Sequence, residues 1–398
     1  MSGKKSKVNA LITDPDSSRQ VPEEGSGGIN HWLCLSDEMA LSILSLLPKK
    51  DLVKVSLINR KFKDLSRDVS LWTGLVLDCK DIQRDTDGCR MLLDRCKKLS
   101  SLEISNKSEI RYSDSLNIMS VVIRAKQSLK SLELDHYIQD WTPLAMAKLG
   151  CLENLTSLTF TFDIKPIVND DDEDDETKIE NERAGLLEEL ANLHHLEVLE
   201  LQLMGFYQTF GFYPYTGRRK SFAAMEKVFQ KLKKLKEVDI FPAHYDESLV
   251  VALAENNPDL KVLKAMIFSS LSNDTIDVLV NSCPGLEKFT LSASHSESAV
   301  TKLSSFWPNL KCLKVGGLPT GVDHSDQKLI AYAEKFRNLE MLFLNGSYVN
   351  VTDFGVEMLL GSAEKLKHLS LNAPKVTRGL VERLRIEYPD INLSINNY

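Results

Sequence analysis

The chain has 398 residues, of which 43% are hydrophobic, and a net charge of −7. This size and apolar content exceed what one ordinary compact domain needs, so two units or an array of repeats are expected. No stretch is long and apolar enough to span a membrane, and residues 1–20 lack the apolar core of a signal peptide. One acidic run, 170–176, accounts for the negative balance, and the absence of a concentrated basic region argues against a nucleic-acid partner.

The seven cysteines are spread along the chain without a CxxC pair. This usage argues against a disulfide framework and against a structural zinc site, so no metal is expected. We therefore predict reduced thiols and a cytoplasmic or nuclear protein with no membrane partner.

The N-terminal region divides into a polar tail and a short helical segment. Residues 1–30 are rich in Lys, Ser, Asp, Pro and Gly, which predicts a disordered tail. Residues 31–77 predict three short helices: Ser36 caps the first, Pro48 ends it, Asp51 can cap the second, and a third apolar set includes Phe62 and Trp72. Their apolar positions outnumber what so small a core consumes, which indicates a partner surface.

A strand pattern recurs from Leu99 to the C-terminus, each copy following a helix-like run. The central apolar residues of its ten copies are Leu102, Leu132, Leu158, Leu199, Val238, Leu263, Phe289, Leu313, Leu342 and Leu369. A period in the mid-twenties with one strand and one helix per copy is typical of a leucine-rich repeat. We therefore predict an α/β solenoid over 78–398, with a curved parallel sheet, outer helices and a degenerate closing copy at 389–395.

Two longer gaps between copies predict insertions. The first, near 163–183, holds the acidic run, and it either only solubilises the protein or attracts a basic segment of a partner. The second, near 205–222, crowds aromatic rings beside three cations, a composition enriched at interfaces. Its rings either bind a substrate or cover a neighbouring repeat as local core. The candidate substrate-binding residues there are Phe206, Tyr207, Phe210, Tyr213 and Tyr215.

The residues between the buried positions of each strand point to the opposite, exposed face. On the first five strands these residues include several acids and no lysine, whereas the next five carry Lys264, Lys288 and Lys314 and no acid. We hypothesise that a protein substrate places a basic segment on the first half, while chance segregation over ten strands is the alternative. The acidic candidates are Glu103, Glu133, Asp135, Glu200 and Asp239.

The helical segment resembles the F-box family along nearly the whole motif. The matching residues are Leu35-Ser36-Asp37-Glu38-Met39, Ile43-Leu44, Leu47-Pro48, Asp51-Leu52-Val53, the run from Val55 to Phe62, and Leu71-Trp72. Several repeats also resemble the cysteine-containing repeats that often follow an F-box. One departure is Ser36, where the family usually has proline. Serine is an adequate helix cap, but the adaptor contact made at the usual Leu-Pro pair is put in question.

The resemblance implies that the segment docks on the Skp-type adaptor of a cullin-based ubiquitin ligase. It further implies that the helices contact the adaptor or support one another through Leu35, Ser36, Ile43, Leu44, Leu47, Leu52, Val55, Ile58 and Trp72. Phosphate-binding, serine-hydrolase and zinc-protease motifs are lacking, so no catalytic residue and no cofactor are predicted.

The function expected from these features is that of a non-catalytic substrate receptor in an SCF-type ligase, which holds a protein substrate near the conjugating enzyme. One alternative is a non-degradative repeat scaffold whose F-box is weakened at Ser36. Another is a small polyanion held by Lys264, Lys288 and Lys314, as in some plant hormone-sensing relatives. Such a ligand usually requires more cations or arginine forks.

Overall fold

The computed structural model describes most of the chain in two compact units, 1–165 and 166–398. The described residues are 35–106, 113–134, 138–139, 141–163, 181–182, 184–204, 219–243, 247–267, 271–291, 303, 305–316, 325–345 and 350–396. The predicted tail, most of the acidic insertion and residues 205–218 of the aromatic insertion lie outside them.

The described part of the first unit begins with three short helices, which the sequence predicts, and a 3₁₀ turn, which it does not. They are α1 (Asp37–Ser45), α2 (Lys49–Val55), α3 (Arg60–Leu65) and the turn Val69–Trp72. The predicted cap of the second helix is wrong. Pro48 occupies the N-cap of α2, and Asp51 lies in its first turn, where it accepts a 2.7 Å hydrogen bond from Lys54 Nζ. Proline is favoured at a helix start because its fixed φ suits the helix and its missing N–H has no partner to lose there.

Parallel strands follow in the same unit. They are β1 (Gly74–Asp78), β2 (Ser101–Ser105), β3 (Ser131–Leu134) and β4 (Ser157–Asp163), which pair in this order. The helices are α4 (Cys79–Arg84), α5 (Thr86–Arg95), α6 (Ser115–Val122) and α7 (Pro143–Gly150), and Ile123–Ala125 forms a 3₁₀ turn. A separate short pair joins Ser113–Asp114 to Ile138–Gln139. Strand β1 was not predicted, and the expected boundary between residues 77 and 78 falls inside it.

The second unit continues the pattern. Its strands are β5 (Val198–Met204), β6 (Glu237–Ala243), β7 (Val262–Ile267), β8 (Lys288–Leu291), β9 (Cys312–Gly316), β10 (Met341–Asn345), β11 (His368–Asn372) and β12 (Asn392–Asn396). Each pairs in parallel with the next. The ten predicted repeat strands and the closing strand are therefore present, and the predicted α/β fold class is confirmed.

Helices separate most of these strands. They are α8 (Arg219–Lys231), α9 (Glu247–Asn256), α10 (Asn273–Ser282), α11 (Asp326–Lys335), α12 (Asp353–Ser362) and α13 (Arg378–Glu387), and Glu189–Asn192 forms a 3₁₀ turn. The aromatic insertion was predicted to extend to residue 222, but α8 already begins at Arg219.

The central residues of the repeats form the core. All ten, from Leu102 to Leu369, are exposed by 2% or less. Burying such a side chain contributes about 1.5–3 kcal/mol relative to leaving it in water. In each unit the repeated apolar position therefore contributes to stability.

Carboxylates at helix starts link neighbouring repeats. Asp326 of α11 accepts hydrogen bonds from the Thr352 backbone N–H (2.7 Å) and hydroxyl (2.6 Å). Asp353 of α12 accepts the equivalent bonds from Thr377 at 2.7 and 2.6 Å. At the start of α9, burial raises the pKa of Glu247, but hydrogen bonds from Ser272 and Thr275 outweigh it, so the pKa lies below its ordinary value. Each of these carboxylates fastens the start of the helix in the next repeat.

Two glycines of α12 allow this link to be tested. A Cβ on Gly355 would collide with the carboxylate of Asp326, whereas one on Gly361 meets nothing within 4 Å. We expect Gly355→Ala to lower the free energy of unfolding by about 1–2 kcal/mol, because it displaces the acceptor of the Thr352 bonds. Gly361→Ala should be neutral or stabilising by up to about 0.5 kcal/mol, since alanine favours helix.

Urea unfolding of both variants and the wild type measures the difference. Equal stability of the two variants would show that the Asp326 link contributes nothing.

Candidate functional site

The helical segment exposes an unusual number of large apolar side chains. On α1 and at its C-cap these are Met39 (56% exposed), Ile43 (38%) and Leu46 (83%), which recur at i, i+4 and i+7 and therefore share one face. Just beyond α2, Leu57 (66%) and Ile58 (62%) are exposed as well. We call these five residues the apolar docking surface.

A small core lies beneath this surface. It consists of Ala40, Leu44, Leu52, Phe62, Leu65 and Leu71. The opposite face of α1 supplies Ala40 and Leu44. One helix thus divides its apolar residues between its own core and an exposed surface.

The predicted adaptor-binding residues separate into three groups. Leu44 and Leu52 are buried, so they support the helices. Leu35, Leu47, Val55 and Trp72 are half-buried and pack against the core. Ile43 and Ile58 belong to the apolar docking surface, and Ser36 is exposed.

Three members of the docking surface were missed in the sequence. Met39, Leu46 and Leu57 were not among the candidates, although Met39 and Leu46 continue the helical spacing of Ile43. The spacing marks a shared face, but only the packing of α3 and the 3₁₀ turn decides which face is left open.

Long-range hydrogen bonds hold the segment together. Trp72 Nε1 donates to the Ser66 carbonyl at 2.9 Å, and Lys61 Nζ donates to the Leu35 carbonyl at 2.6 Å. Lys49 Nζ donates to the Leu71 carbonyl. These bonds tie both ends of the segment to its middle, which keeps α1 in a fixed position.

Ser36 caps α1. Its side-chain oxygen accepts a 3.3 Å hydrogen bond from the Met39 N–H, and its backbone has φ −60° and ψ 155°. Proline fixes φ near −65°, so the backbone here already has the conformation of the proline that the family usually places at this position. Serine in place of proline therefore changes the N-cap of α1 but not the backbone conformation at this position.

Comparison with known families assigns the segment. Residues 32–78 match the family model described as F-box-like. This segment is an F-box-like domain. The resemblance seen in this segment of the sequence is confirmed, and repeated parallel strands and helices follow it in the chain.

The solved structures that are similar to the chain include the following two. The yeast Rad7 and Elc1 complex matches at 15% identity with a TM-score of 0.48, over 90% of this chain and 85% of that one. The plant peptide hormone receptor RGFR1 in complex with RGF2 matches at 14% identity with a TM-score of 0.32, over 76% of this chain and 45% of that one. No curated protein matches the chain. Both structural likenesses are too distant to assign a function.

The exposed strand face of the second unit is a further candidate surface. Glu200, Asp239 and Lys264 lie side by side on β5, β6 and β7. Lys264 Nζ is 2.7 Å from the Asp239 carboxylate, and this hydrogen bond raises the pKa of Lys264 despite partial burial. Acidic and basic positions therefore meet in an ion pair, and the predicted charge segregation is partly neutralised where they meet.

The remaining substrate candidates are only partly placed. Glu103 of β2 lies beside Glu133 of β3, so two carboxylates share one edge of the exposed face in the first unit. Asp135 and the five aromatic candidates of the 205–222 insertion lie outside the described residues. Among the described residues, no group of three or more His, Cys, Asp or Glu could hold a metal, and no helix could cross a membrane.

The buried thiols are poor nucleophiles. Burial raises the pKa of Cys89 and of Cys283 to about 12 and that of Cys96 to about 11. A thiolate is the reactive form, so these three cysteines are not suited to relaying ubiquitin at neutral pH. Cys151 is exposed and Cys312 is partly exposed.

Thiol labelling tests this order of reactivity. In a Cys34→Ser background at about pH 8, we expect Cys151 to react first and Cys312 more slowly. Cys79, Cys89, Cys96 and Cys283 should react only after unfolding, because all four are buried. Mass spectrometry of timed samples, with a denatured control, measures the order. Labelling of Cys89 or Cys283 as fast as Cys151 would contradict it.

Proposed function

We propose that the chain is a substrate-recognition subunit of an SCF-type ubiquitin ligase. In this proposal the F-box-like domain docks on a Skp-type adaptor and through it on a cullin scaffold, and the repeats bind the protein to be ubiquitinated. The observation that carries the proposal is the apolar docking surface on a domain of the F-box-like type. A cytoplasmic or nuclear location belongs to the same proposal.

The exposure of this surface supports a stable partner. Met39, Leu46, Leu57 and Ile58 are each more than half exposed, although the small core beneath is filled. Full burial of one such side chain is worth about 1.5–3 kcal/mol, so covering the surface offsets much of the cost of association. Large apolar side chains that are exposed in this number are typical of a protein–protein interface.

The proposed mechanism is positional. A subunit that binds both the ligase and the substrate makes the encounter between a substrate lysine and the conjugating enzyme intramolecular. Flexible tethering of this kind raises the effective concentration to about the millimolar range. The bond itself would be made elsewhere in the complex, and the receptor's contribution is orientation and proximity.

A substrate with a basic segment remains a prediction. Asp239 already pairs with Lys264, so the carboxylates that support such a contact are Glu103 and Glu133. An acidic edge of this kind mainly raises the association rate and selects against acidic partners.

The second candidate function is a non-degradative scaffold. The observation that favours it is Ser36, because the residue that the family places at this point of the adaptor contact is proline. In that case the repeats would still bind partners, but no ligase would be recruited.

Charge substitution of the docking surface tests the adaptor contact. We expect Leu46→Glu with Ile58→Glu to lower recovery of a Skp-type adaptor at least about tenfold, because two charges would enter an apolar interface. The matched control is Met91→Glu with Leu144→Glu, which changes two apolar residues of similar exposure elsewhere in the first unit.

Recovery is measured by pull-down with purified adaptor, and thermal melting verifies that both variants fold. If the two double variants recover the same amount of adaptor as the wild type, the docking surface is not the contact.

Proline at position 36 separates the two candidate functions. We expect Ser36→Pro to increase adaptor recovery over the wild type, because the backbone φ of −60° accommodates proline without strain. Ser36→Ala is the control, since it removes the helix cap at a cost of about 1 kcal/mol without adding the ring.

Capture by Ser36→Pro but not by the wild type would favour the scaffold. If neither protein recovers adaptor under conditions in which an unrelated F-box protein does, the ligase proposal fails.

A further inference from the structure

Six side chains on the exposed strand face of the second unit combine charge with apolar surface. They are Lys288 of β8, Cys312 and Lys314 of β9, Met341 and Phe343 of β10, and His368 of β11. We call them the lysine–aromatic surface. The alternating neighbours Phe289, Leu313, Leu342 and Leu369 are buried in the core, which confirms that these six lie on the other side of the strands.

The strand register places the six residues in two rows. One row runs Lys288, Cys312, Met341, His368, and the other joins Lys314 directly to Phe343. Neighbouring strands are about 4.8 Å apart, so each ammonium group lies within one or two strands of an apolar side chain. A single short segment can therefore contact both kinds of group.

Two cations of this surface are exposed. Within the described residues, neither Lys288 nor Lys314 forms an ion pair with a carboxylate. Two acids on or beside neighbouring strands are engaged with other lysines: Glu287 is 2.6 Å from Lys311, and Asp239 is 2.7 Å from Lys264. The surface thus has positive charge available for a partner.

The pKa of the Cys312 thiol is affected by the same positive charges. Burial raises its pKa, while the ammonium groups of Lys288, Lys264 and Lys314 lower it. Three cations therefore act on one point of the strand face. Positive charge concentrated in this way attracts a carboxylate from a distance comparable to the Debye length, about 8–10 Å at physiological salt.

The aromatic end of the surface is ordered by its own contacts. The rings of Phe343 and His368 lie 4.6 Å apart with a tilt of 37°. Both rings and Met341 are partly exposed, so they offer apolar area without being fully buried. An aromatic pair already packed in the free protein loses little entropy when a partner covers it.

We propose that the lysine–aromatic surface binds an extended protein segment in which two carboxylates precede or follow a large apolar side chain. This inference rests on the proposed function, for which it names the substrate class. The carboxylates lie over Lys288 and Lys314, and the apolar side chain covers Met341 and Phe343. Rows of side chains about 4.8 Å apart fit an extended segment, whose alternate side chains are about 6.6–7 Å apart on one face.

Carboxylate is favoured over phosphate by the type and number of cations. Phosphate recognition typically uses arginine forks or several converging donors. Here two lysines are available, because the third, Lys264, is held by Asp239. Point charges of this kind suit the single charges of Asp and Glu.

Direct binding to synthetic peptides tests the proposal. The probe is a fluorescein-labelled peptide with the core Glu-Asp-Ser-Phe-Leu, made in both sequence directions and measured by anisotropy against the full-length chain. We expect binding by at least one direction that weakens at least about tenfold in Lys288→Glu with Lys314→Glu. Phe343→Ser should weaken binding by a similar factor, and the weakening should not depend on salt, since the lost contact is apolar.

Charge-matched controls isolate the site. Lys97→Glu with Lys233→Glu makes the same change in net charge at two exposed lysines that do not belong to the surface and should leave binding within about twofold. Peptides with Lys in place of the acids, or Ala in place of Phe and Leu, should each bind at least about tenfold more weakly. Thermal melting of each variant establishes that it is folded.

Three outcomes would overturn the proposal. The first is equal weakening by the two lysine pairs, which would indicate nonspecific charge attraction. The second is tenfold tighter binding of a phosphoserine version of the peptide, which would assign the surface to phosphorylated segments. The third is binding only after the acids at 170–176 are changed to amides, which would assign the surface to the chain's own acidic run.

Failure of this inference is distinguishable from failure of the proposed function, because the measurement uses no adaptor. A chain that binds the peptide but no Skp-type adaptor retains the recognition surface as a scaffold. A chain that binds adaptor but none of the peptides remains a ligase subunit whose substrate surface lies elsewhere.

Discussion

The burial of the repeated apolar side chains of each strand is the constraint on which both units depend. A single repeat exposes its apolar strand and helix faces, and only a neighbouring repeat can cover them. Leu313 is buried because β8 and β10 lie on either side of its strand, and the same holds for the other copies that have a neighbour on each side within their unit. Everything presented on the other side of the strands, including the charged and aromatic positions, is therefore fixed at intervals set by strand spacing rather than by side-chain contacts.

The fold was largely predictable for this reason. A leucine pattern recurring with a period in the mid-twenties determines both the strand and the face that it buries, so the ten strands could be located from the sequence. Strand β1 was not predicted, because it precedes the first recognisable copy of the repeat pattern. Leu75 and Leu77 alternate correctly, but the segment before them belongs to the F-box-like domain and carries no repeat pattern. Pairing with β2 decides its structure, and pairing is a tertiary property.

The surfaces were less predictable than the fold. Helical spacing shows that Met39, Ile43 and Leu46 share a face, yet it does not reveal whether that face is covered. Leu44 and Leu52 look equally suited to a partner in the sequence, and only the packing of Phe62 and Leu71 against them identifies them as core. Charge was similarly ambiguous: the segregation of acids and lysines is real along the sequence, but the ion pair of Asp239 with Lys264 depends on strand register. The sequence shows which side chains are apolar or charged, but which of them are exposed depends on packing in the folded structure.

Carboxylates at helix starts join a repeat to the one that follows it. Asp326 accepts hydrogen bonds from Thr352, the N-cap of α12, and Asp353 accepts them from Thr377, the N-cap of α13. The repeat that begins with α12 therefore carries a donor, Thr352, for the repeat before it and an acceptor, Asp353, for the repeat after it. This repeat could be duplicated or removed as a whole, and the hydrogen-bonding groups on either side would still match. Solenoids of this construction can change their length without redesigning their junctions, and the exposed strand face would lengthen or shorten by one row at a time.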